Sequence, residues 1–276
     1  MWGEVVTKVA FQGERGAFSE DAVITFFGDV ELSPSRYIAD VFEAVLRDEV
    51  DFGVVPAENS QAGRINETYD LLLSYPLNIF GEIHLRISHF LMALPGESLD
   101  GIRIIYSHPQ ALAQCEQFLR QLKAEIVPTY DTAGSAKKIK ETGLKGCAAV
   151  ASKRAAQIYG LEILAENIET NVNNYTRFFV ISKKKAEPVP RSKTSLVFGT
   201  KNVAGALYAC LGTFATRDIN LTKLESRPSR DKLWEYIFYV DFEGHIDDKV
   251  CREAVAELKR KAKFIKILGS YPRAED

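Results

Sequence analysis

The sequence predicts an α/β protein: a two-lobed, parallel-sheet cleft domain followed by a smaller β-α-β-β-α-β domain. Three observations predict it. Strand-like and helix-like segments alternate from Val5 to beyond Ser152, the pattern of parallel sheets covered by helices. A long segment of alternating polarity, Leu77 to Leu94, joins two such blocks, and a strand of that length can run from one lobe into another. A charged stretch without periodicity, Lys183 to Ser192, then interrupts the pattern. Its Pro188 and Pro190 forbid helix and disfavour a central strand. The boundaries follow: residues 1–186 for the cleft domain, with lobes of about 6–80 plus 175–184 and of 81–174, residues 187–192 for a linker, and 193–276 for the last domain. A chain of 276 residues exceeds the usual single domain.

Each element has a local reason. Val5 to Phe11 is a β-rich run ending in Gly13. Ser19 can cap a helix through Ala22, Val23, Phe26 and Phe27 that stops at Gly28. Asp40 and Glu43 have capping-box spacing. Phe52 to Val55 reads as a short strand ended by Pro56, and helix signals resume from Ile65 to Leu73. In the long segment, Ile79, Ile83, Leu85, Ile87 and Leu91 alternate with Glu82, His84, Arg86 and Ser88. The second block runs strand Arg103–Tyr106, helix to Leu122, strand Glu125–Val127, helix from Asp131 or Thr132, strand Ala148–Val150 and helix from Ser152. The last third reads strand Thr194–Phe198, helix Val203–Phe214, strands Ile219–Leu224 and Trp234–Phe242, helix Asp247–Leu258 and strand Phe264–Leu268. That is the ferredoxin-like order, an antiparallel sheet with two helices on one face.

Composition excludes several classes. Hydrophobic content of 46% and charged content of 26% are ordinary for a globular protein. A net charge of −2 recruits neither nucleic acid nor anionic membrane. The apolar runs are far shorter than a membrane span, and the N-terminus lacks the pattern of a secretory signal. Cys115, Cys147, Cys210 and Cys251 form no CxxC pair, and the four histidines lack metal-ligand spacing. A cytoplasmic protein with reduced thiols, no metal and no cofactor is the expectation.

Four polar clusters sit beside strands of the cleft domain, where turns can face a cleft. They are Gln12 to Ser19, Val55 to Ser60, Ser107 to Cys115, and Asn174 to Phe178. Each singly also fits a turn or a helix cap. In the last cluster, Thr176, Arg177 and Phe178 set a hydroxyl, a fixed cation and an aromatic ring on successive residues. Convergence of Arg177 and Thr176 on one ligand would suit an anionic, aromatic-sized molecule with a group to protonate, because the guanidinium forks onto carboxylates.

Taken in order, Gly16-Ala17-Phe18-Ser19, Pro56-Ala57-Glu58-Asn59-Ser60, Ser107-His108-Pro109-Gln110 and Asn174-Tyr175-Thr176-Arg177-Phe178 resemble the signatures of the prephenate dehydratase family. The last third resembles the ACT regulatory domain that follows that catalytic domain, through Gly205-Ala206-Leu207-Tyr208 and Glu225-Ser226-Arg227-Pro228. The resemblance implies a periplasmic-binding-protein-like cleft domain and decarboxylative dehydration of prephenate to phenylpyruvate, driven by aromatisation. It assigns catalysis to Thr176 as donor to the departing hydroxyl, with Asn59, Ser107 and Gln114 as neutral donors. Gln114 lies seven positions after Ser107, so both can face one cleft across helix. Substrate binding falls to Arg177 as carboxylate anchor, Phe178 as ring wall, and Ser19 and Ser60. Glu58 is expected as a cap or a partner to a backbone amide rather than a base, and the proline after His108 points to a turn role for that histidine.

For the last domain the resemblance implies feedback by L-phenylalanine in a homodimer or homotetramer. Gly205 and Ala206 would offer amides to the amino acid carboxylate, and Leu207, Asn220, Leu221, Glu225, Ser226, Arg227 and Pro228 would complete the pocket, at a subunit interface. Two departures stand out. Glu14-Arg15 occupies a turn where the family often has proline, which leaves the reading intact. Tyr208 replaces smaller aliphatics, which bears on effector preference. Arogenate dehydratase, with the same chemistry on the aminated substrate, and a non-catalytic amino-acid sensor are the rival readings.

Overall fold

The structure, a computed structural model, describes residues 7–228 and 236–274. The chain forms two compact units, residues 1–68 with 83–178 and residues 69–82 with 179–276. The units do not follow chain order, because the segment 69–82 groups with the last third.

The chain begins β1 (Lys8–Gln12), α1 (Phe18–Phe27), β2 (Glu31–Ser35), α2 (Ile38–Leu46), β3 (Phe52–Asn59), β4 (Gly63–Arg64), α3 (Asn66–Ser74) and β5 (Asn78–Arg86). It continues β6 (Phe90–Ala93), β7 (Ile104–Ser107), α4 (Pro109–Gln114), α5 (Glu116–Leu119), β8 (Glu125–Pro128), α6 (Thr132–Thr142), β9 (Cys147–Ala151), α7 (Lys153–Tyr159), β10 (Glu162–Ala165) and β11 (Tyr175–Ser182). One sheet has the order β2-β1-β3-β11-β5, with β4 on β3, and the other β10-β6-β9-β7-β8. β1 runs parallel to β2 and β3, and β7 parallel to β8 and β9. β6 is antiparallel to β9 and β10. The central strand β9 is buried at every residue, as a strand covered on both faces must be. Leu91, Ile105, Leu112, Ala148 and Val150 form the core around it.

Several local expectations are corrected. The cap of α1 is Ala17, and Ser19 lies inside the first turn. α2 begins at Ile38, so Asp40 is its third residue, accepting from the Tyr37 amide at 3.1 Å. Pro56 does not end β3; its carbonyl accepts from Thr68 Oγ1 at 2.6 Å. The long segment is two strands in two sheets, broken at Ile87-Ser88-His89. The helix expected up to Leu122 is the pair α4 and α5. β2 and β10 have no counterpart among the expected elements. β2 is an edge strand holding Pro34, a position where proline is tolerated.

The last third is β12 (Ser192–Gly199), α8 (Ala206–Ala215), β13 (Leu221–Pro228), β14 (Tyr236–Glu243), α9 (Lys249–Lys261) and β15 (Phe264–Pro272). β12 therefore starts at the last residue assigned to the linker. The sheet is antiparallel with order β13-β14-β12-β15, the ferredoxin-like arrangement. Trp234, the expected start of a strand, lies outside the described residues. Leu196, Phe198, Phe214, Val240, Phe242 and Leu258 pack between sheet and helices. In the same unit Lys266 Nζ meets the carbonyls of Leu72, Leu73 and Tyr75 at 2.7–2.8 Å, a cation satisfying the open carbonyls of a helix end.

Candidate active site

A cavity of about 570 Å³ opens in the first unit, lined from both of its sheets. That volume suits a small-molecule ligand. Thr176 and Phe178 reach it from β11, and Asn59 from the end of β3. These strands are neighbours in the sheet. The turn after β3 is clipped to the start of β11: the Ser60 amide donates to Tyr175 O at 2.8 Å and the Tyr175 amide to Ser60 Oγ at 3.0 Å. Asn59 and Thr176 are thereby set side by side.

The hydrogen bonds fix the direction of every donor at this point. Asn59 Oδ1 accepts from the amides of Gln61 at 3.0 Å and Ala62 at 2.9 Å. Backbone N–H groups can only donate, so the other end of the side chain is its NH₂. That Nδ2 lies 2.8 Å from Asn174 Oδ1, 3.2 Å from Tyr175 O and 3.0 Å from Thr176 Oγ1. An amide nitrogen accepts nothing, so Thr176 Oγ1 is the acceptor and its own proton is not used there. Among the described residues that proton has no other acceptor.

The same logic runs outward. With Oδ1 accepting from Asn59, Asn174 presents Nδ2 to Gln114 Oε1 at 3.0 Å. His89 Nε2, 2.9 Å from that oxygen, must then donate. His89 is buried at 2% exposure, its ring is edge-on to Phe18, and its Nδ1 has no hydrogen-bond partner. Burial, opposed by the Gln114 hydrogen bond and the Glu169 charge, pushes its pKa below the ordinary histidine range. The ring is thus neutral at pH 7 and carries its proton on Nε2.

The cavity also receives polar ends of backbone. The Phe18 and Ser19 amides, at the start of α1, have no acceptor among the described residues. They lie where the helix dipole favours an anion. The start of α6 is already occupied, since Asp131 Oδ1 takes the Ala133 amide at 3.2 Å and Oδ2 the Glu14 amide at 2.9 Å. Burial raises the Asp131 pKa against those hydrogen bonds. His108 caps α4, with Nδ1 accepting from the Gln110 amide at 3.2 Å; the turn role holds. Burial lowers its pKa against the opposing Asp131 charge. Among the described residues no group of three or more His, Cys, Asp or Glu could hold a metal ion.

The structure brings Asn59, Gln114, Thr176, Phe178 and Ser19 to the cavity. It does not bring the other three. Arg177 does not line it: strand alternation sends it to the face opposite Thr176 and Phe178, with its guanidinium 4.0 Å from the Glu58 carboxylate. Ser107 is fully buried and donates to Val150 O at 2.6 Å, stapling β7 to β9. Ser60 Oγ donates to Asn173 O at 3.1 Å and serves the clip described above. Asn174 and His89 are hydrogen-bonded neighbours of Asn59 and Gln114 that no assignment included. His89 had a signal, because it occupies a position where the alternation of its segment calls for an apolar residue. Arg36, Tyr37 and Tyr130 also line the cavity and carry no motif.

In the last domain Gly205 caps α8 in the left-handed region, φ 76°. Ala206 and Leu207 open that helix, Asn220 precedes β13, and its carbonyl accepts from the Glu243 amide. Leu221, Glu225, Ser226, Arg227 and Pro228 belong to β13, an edge strand. Alternation divides them, with Glu225 and Arg227 on one face and Ser226 and Pro228 on the other. Arg227 forks onto the Asp70 carboxylate.

Comparison with known proteins adds the following. The family model described as prephenate dehydratase matches residues 9–186, and that of the ACT domain residues 194–260. The chain is 44% identical over 276 aligned residues to arogenate dehydratase/prephenate dehydratase 2, chloroplastic, of Arabidopsis thaliana, covering 96% of this chain and 72% of that protein. Prephenate dehydratase from Arthrobacter aurescens, solved in complex with L-Phe, superposes with a TM-score of 0.88 at 33% identity, covering 97% of this chain and 90% of that one. A structure described as GqqA, a novel type of quorum quenching acylase, superposes with a TM-score of 0.88 at 36% identity, covering 96% of this chain and 98% of that one.

Proposed function

Because the chain belongs to the prephenate dehydratase family, with an ACT domain after the catalytic one, we propose that it converts prephenate to phenylpyruvate, carbon dioxide and water in phenylalanine biosynthesis. The observation that carries the chemistry is the hydrogen bond from Asn59 to Thr176. It leaves the threonine proton free for the hydroxyl that departs from the substrate ring.

The bond to the ring carboxylate breaks, its electron pair enters the ring, and the opposite carbon–oxygen bond breaks. The departing hydroxide takes the Thr176 proton and leaves as water. Thr176 regains its proton from solvent, so prephenate and one proton give phenylpyruvate, carbon dioxide and water. A threonine hydroxyl is a weak acid, but the leaving group is hydroxide, whose conjugate acid, water, is as weak an acid. Transfer between two oxygens of comparable basicity is near balance, so the proton can move as the bond breaks. Asn59 donates to Oγ1 and stabilises the negative charge that develops there. Gln114 and Asn174 hold the Asn59 amide in that orientation. Phe178 and Phe18 supply apolar walls for a ring becoming aromatic. The open amides of Phe18 and Ser19 suit a substrate oxygen.

The proposal extends to regulation and setting. Phenylalanine binds the ACT domain near the start of α8 and the edge strand β13, with Gly205 placing open backbone there. The name of the Arthrobacter structure, which includes L-Phe, supports that part. The enzyme is a cytoplasmic homo-oligomer in this reading. Buried, free cysteines suit a reducing compartment. Exposed Val203, Tyr208 and Leu224 suit a surface covered by a second copy.

Arogenate is the second substrate reading, favoured by the double name of the Arabidopsis relative and by Glu67 and Asp131 in the cavity wall, to which an ammonium group could pair. An acylase reading is not favoured. It needs a nucleophile activated by a base, whereas His108 Nδ1 accepts from the Gln110 amide and the unprotonated Nδ1 of His89 is buried with no hydroxyl or thiol bonded to it among the described residues.

Thr176→Val tests the mechanism, since it keeps the shape and removes the hydroxyl. Turnover of prephenate should fall at least about a hundredfold with KM little changed, the scale for one lost transition-state donor. Near-normal turnover would remove Thr176 from the mechanism.

A further inference from the structure

With Arg177 directed away, the substrate needs another carboxylate anchor. Among the residues lining the cavity, Arg36 alone carries a fixed positive charge. It lies between β2 and α2, and it has no ion-pair partner among the described residues. Its guanidinium carbon sits 5.3 Å from the ring centroid of Tyr37 and 5.3 Å from that of Tyr130. One ring comes from its own lobe and the other from across the cleft. Flanking rings attract the cation and limit its orientations while leaving its N–H groups free to fork onto a carboxylate.

The ring across the cleft is itself held. Tyr130 Oη donates to Glu14 Oε1 at 2.9 Å, and Lys137 Nζ meets Glu14 Oε2 at 2.9 Å. The Glu14 backbone amide is tied to Asp131. Gly134 leaves room for the ring, because a Cβ there would lie 2.8 Å from Tyr130 Oη and 3.0 Å from Cζ. Burial alone would raise the Glu14 pKa. The hydrogen bonds from Lys137 and Tyr130, with the charges of Lys137 and Arg36, outweigh it and draw the carboxyl below its ordinary range. Glu14 is one of the two residues that depart from the family turn.

We propose that Arg36 binds the side-chain carboxylate of the substrate, and that Glu14 is a positioning residue that acts on Arg36 through Tyr130. This rests on the proposed substrate. The ring carboxylate is the wrong partner for a strong anchor, because its charge must leave as carbon dioxide and an anchor there would stabilise the ground state. The side-chain carboxylate keeps its charge throughout, so binding it affects KM rather than kcat.

Steady-state kinetics on prephenate test the proposal, with thermal melts by circular dichroism confirming that each variant folds. Arg36→Gln should raise KM at least about tenfold and change kcat less than about threefold. Arg36→Lys keeps the charge but not the fork, and should also raise KM; it serves in place of Arg36→Gln if that variant fails to fold. Glu14→Ala and Tyr130→Phe should each raise KM, and the double variant should be no worse than Tyr130→Phe alone. An unchanged KM in the Arg36 variants overturns the anchor. Multiplying effects of Glu14→Ala and Tyr130→Phe overturn the path through Tyr130. If the wild type does not turn over prephenate, the proposed function fails first; if it does and the Arg36 variants keep its KM, this inference alone fails.

Discussion

Thr176 and Arg177 stand side by side in the chain yet serve opposite faces of one strand. The string Asn174 to Phe178 showed that a hydroxyl and a ring recur two apart, which a strand places together; the same rule removes Arg177 from the cavity. What one string could not show is which way the hydroxyl proton points. That depends on two loop amides fixing Asn59 from the opposite side of the turn. Asn59→Asp isolates this dependence. The replacement has the same shape but an acceptor where the amide donated, so the Thr176 proton would turn to the new carboxylate and away from the cavity. Turnover should fall at least about a hundredfold while substrate still binds, as single-turnover kinetics can check. His89 offers a second check at this scale. Its folded pKa is lowered by burial, so the folded state binds the proton less well than the unfolded chain. The stability tied to His89 is full above the unfolded value of about 6.5 and is lost as pH falls toward the folded value. Melting temperature should therefore drop between about pH 7 and pH 5 more in the wild type than in His89→Gln. Equal slopes would show that His89 does not titrate as described.

Turns and strand ends, more than helices, decide which side chains reach the cavity. Ser107 and Gln114 bracket α4 with the expected spacing, but only Gln114 faces the cavity, because the serine hydroxyl finds Val150 O one strand away. Ser107→Ala should cost stability, about 1–3 kcal/mol for a buried carbonyl left without its donor, with kcat nearly intact. A large loss of kcat without loss of stability would return Ser107 to the chemistry. The glycine-rich turn after β1 ties the lobes, with Ser152 Oγ donating to Gly16 O at 2.6 Å and Tyr159 Oη to Arg15 O at 2.8 Å. At Gly16, φ is 86° and a Cβ would lie 2.7 Å from the Ala155 Cα. Gly16→Ala should thus force the turn off α7, raising KM and lowering the melting temperature together. Alternation and capping residues made most strands and helices legible. β2 escaped; it holds Pro34, and its place at the sheet edge makes the proline acceptable. Arg36 and Tyr130 escaped for a different reason: their meeting is a product of two lobes closing on one cavity, which no local pattern records.

For the whole molecule, two family models in series place an ACT domain after a prephenate dehydratase domain. The order of the four turns made the catalytic domain legible, since any one of them fits an ordinary cap. The choice of substrate was not legible, because prephenate and arogenate differ in one group, a carbonyl against an ammonium. The most direct measurement is to incubate the purified chain with prephenate and, separately, with arogenate, and to identify and quantify the products. The account predicts that prephenate gives phenylpyruvate and carbon dioxide in equal amounts, faster than arogenate gives phenylalanine. Faster conversion of arogenate would reassign the substrate. No turnover of either, with tight binding of phenylalanine, would contradict the account and leave a sensor in place of an enzyme.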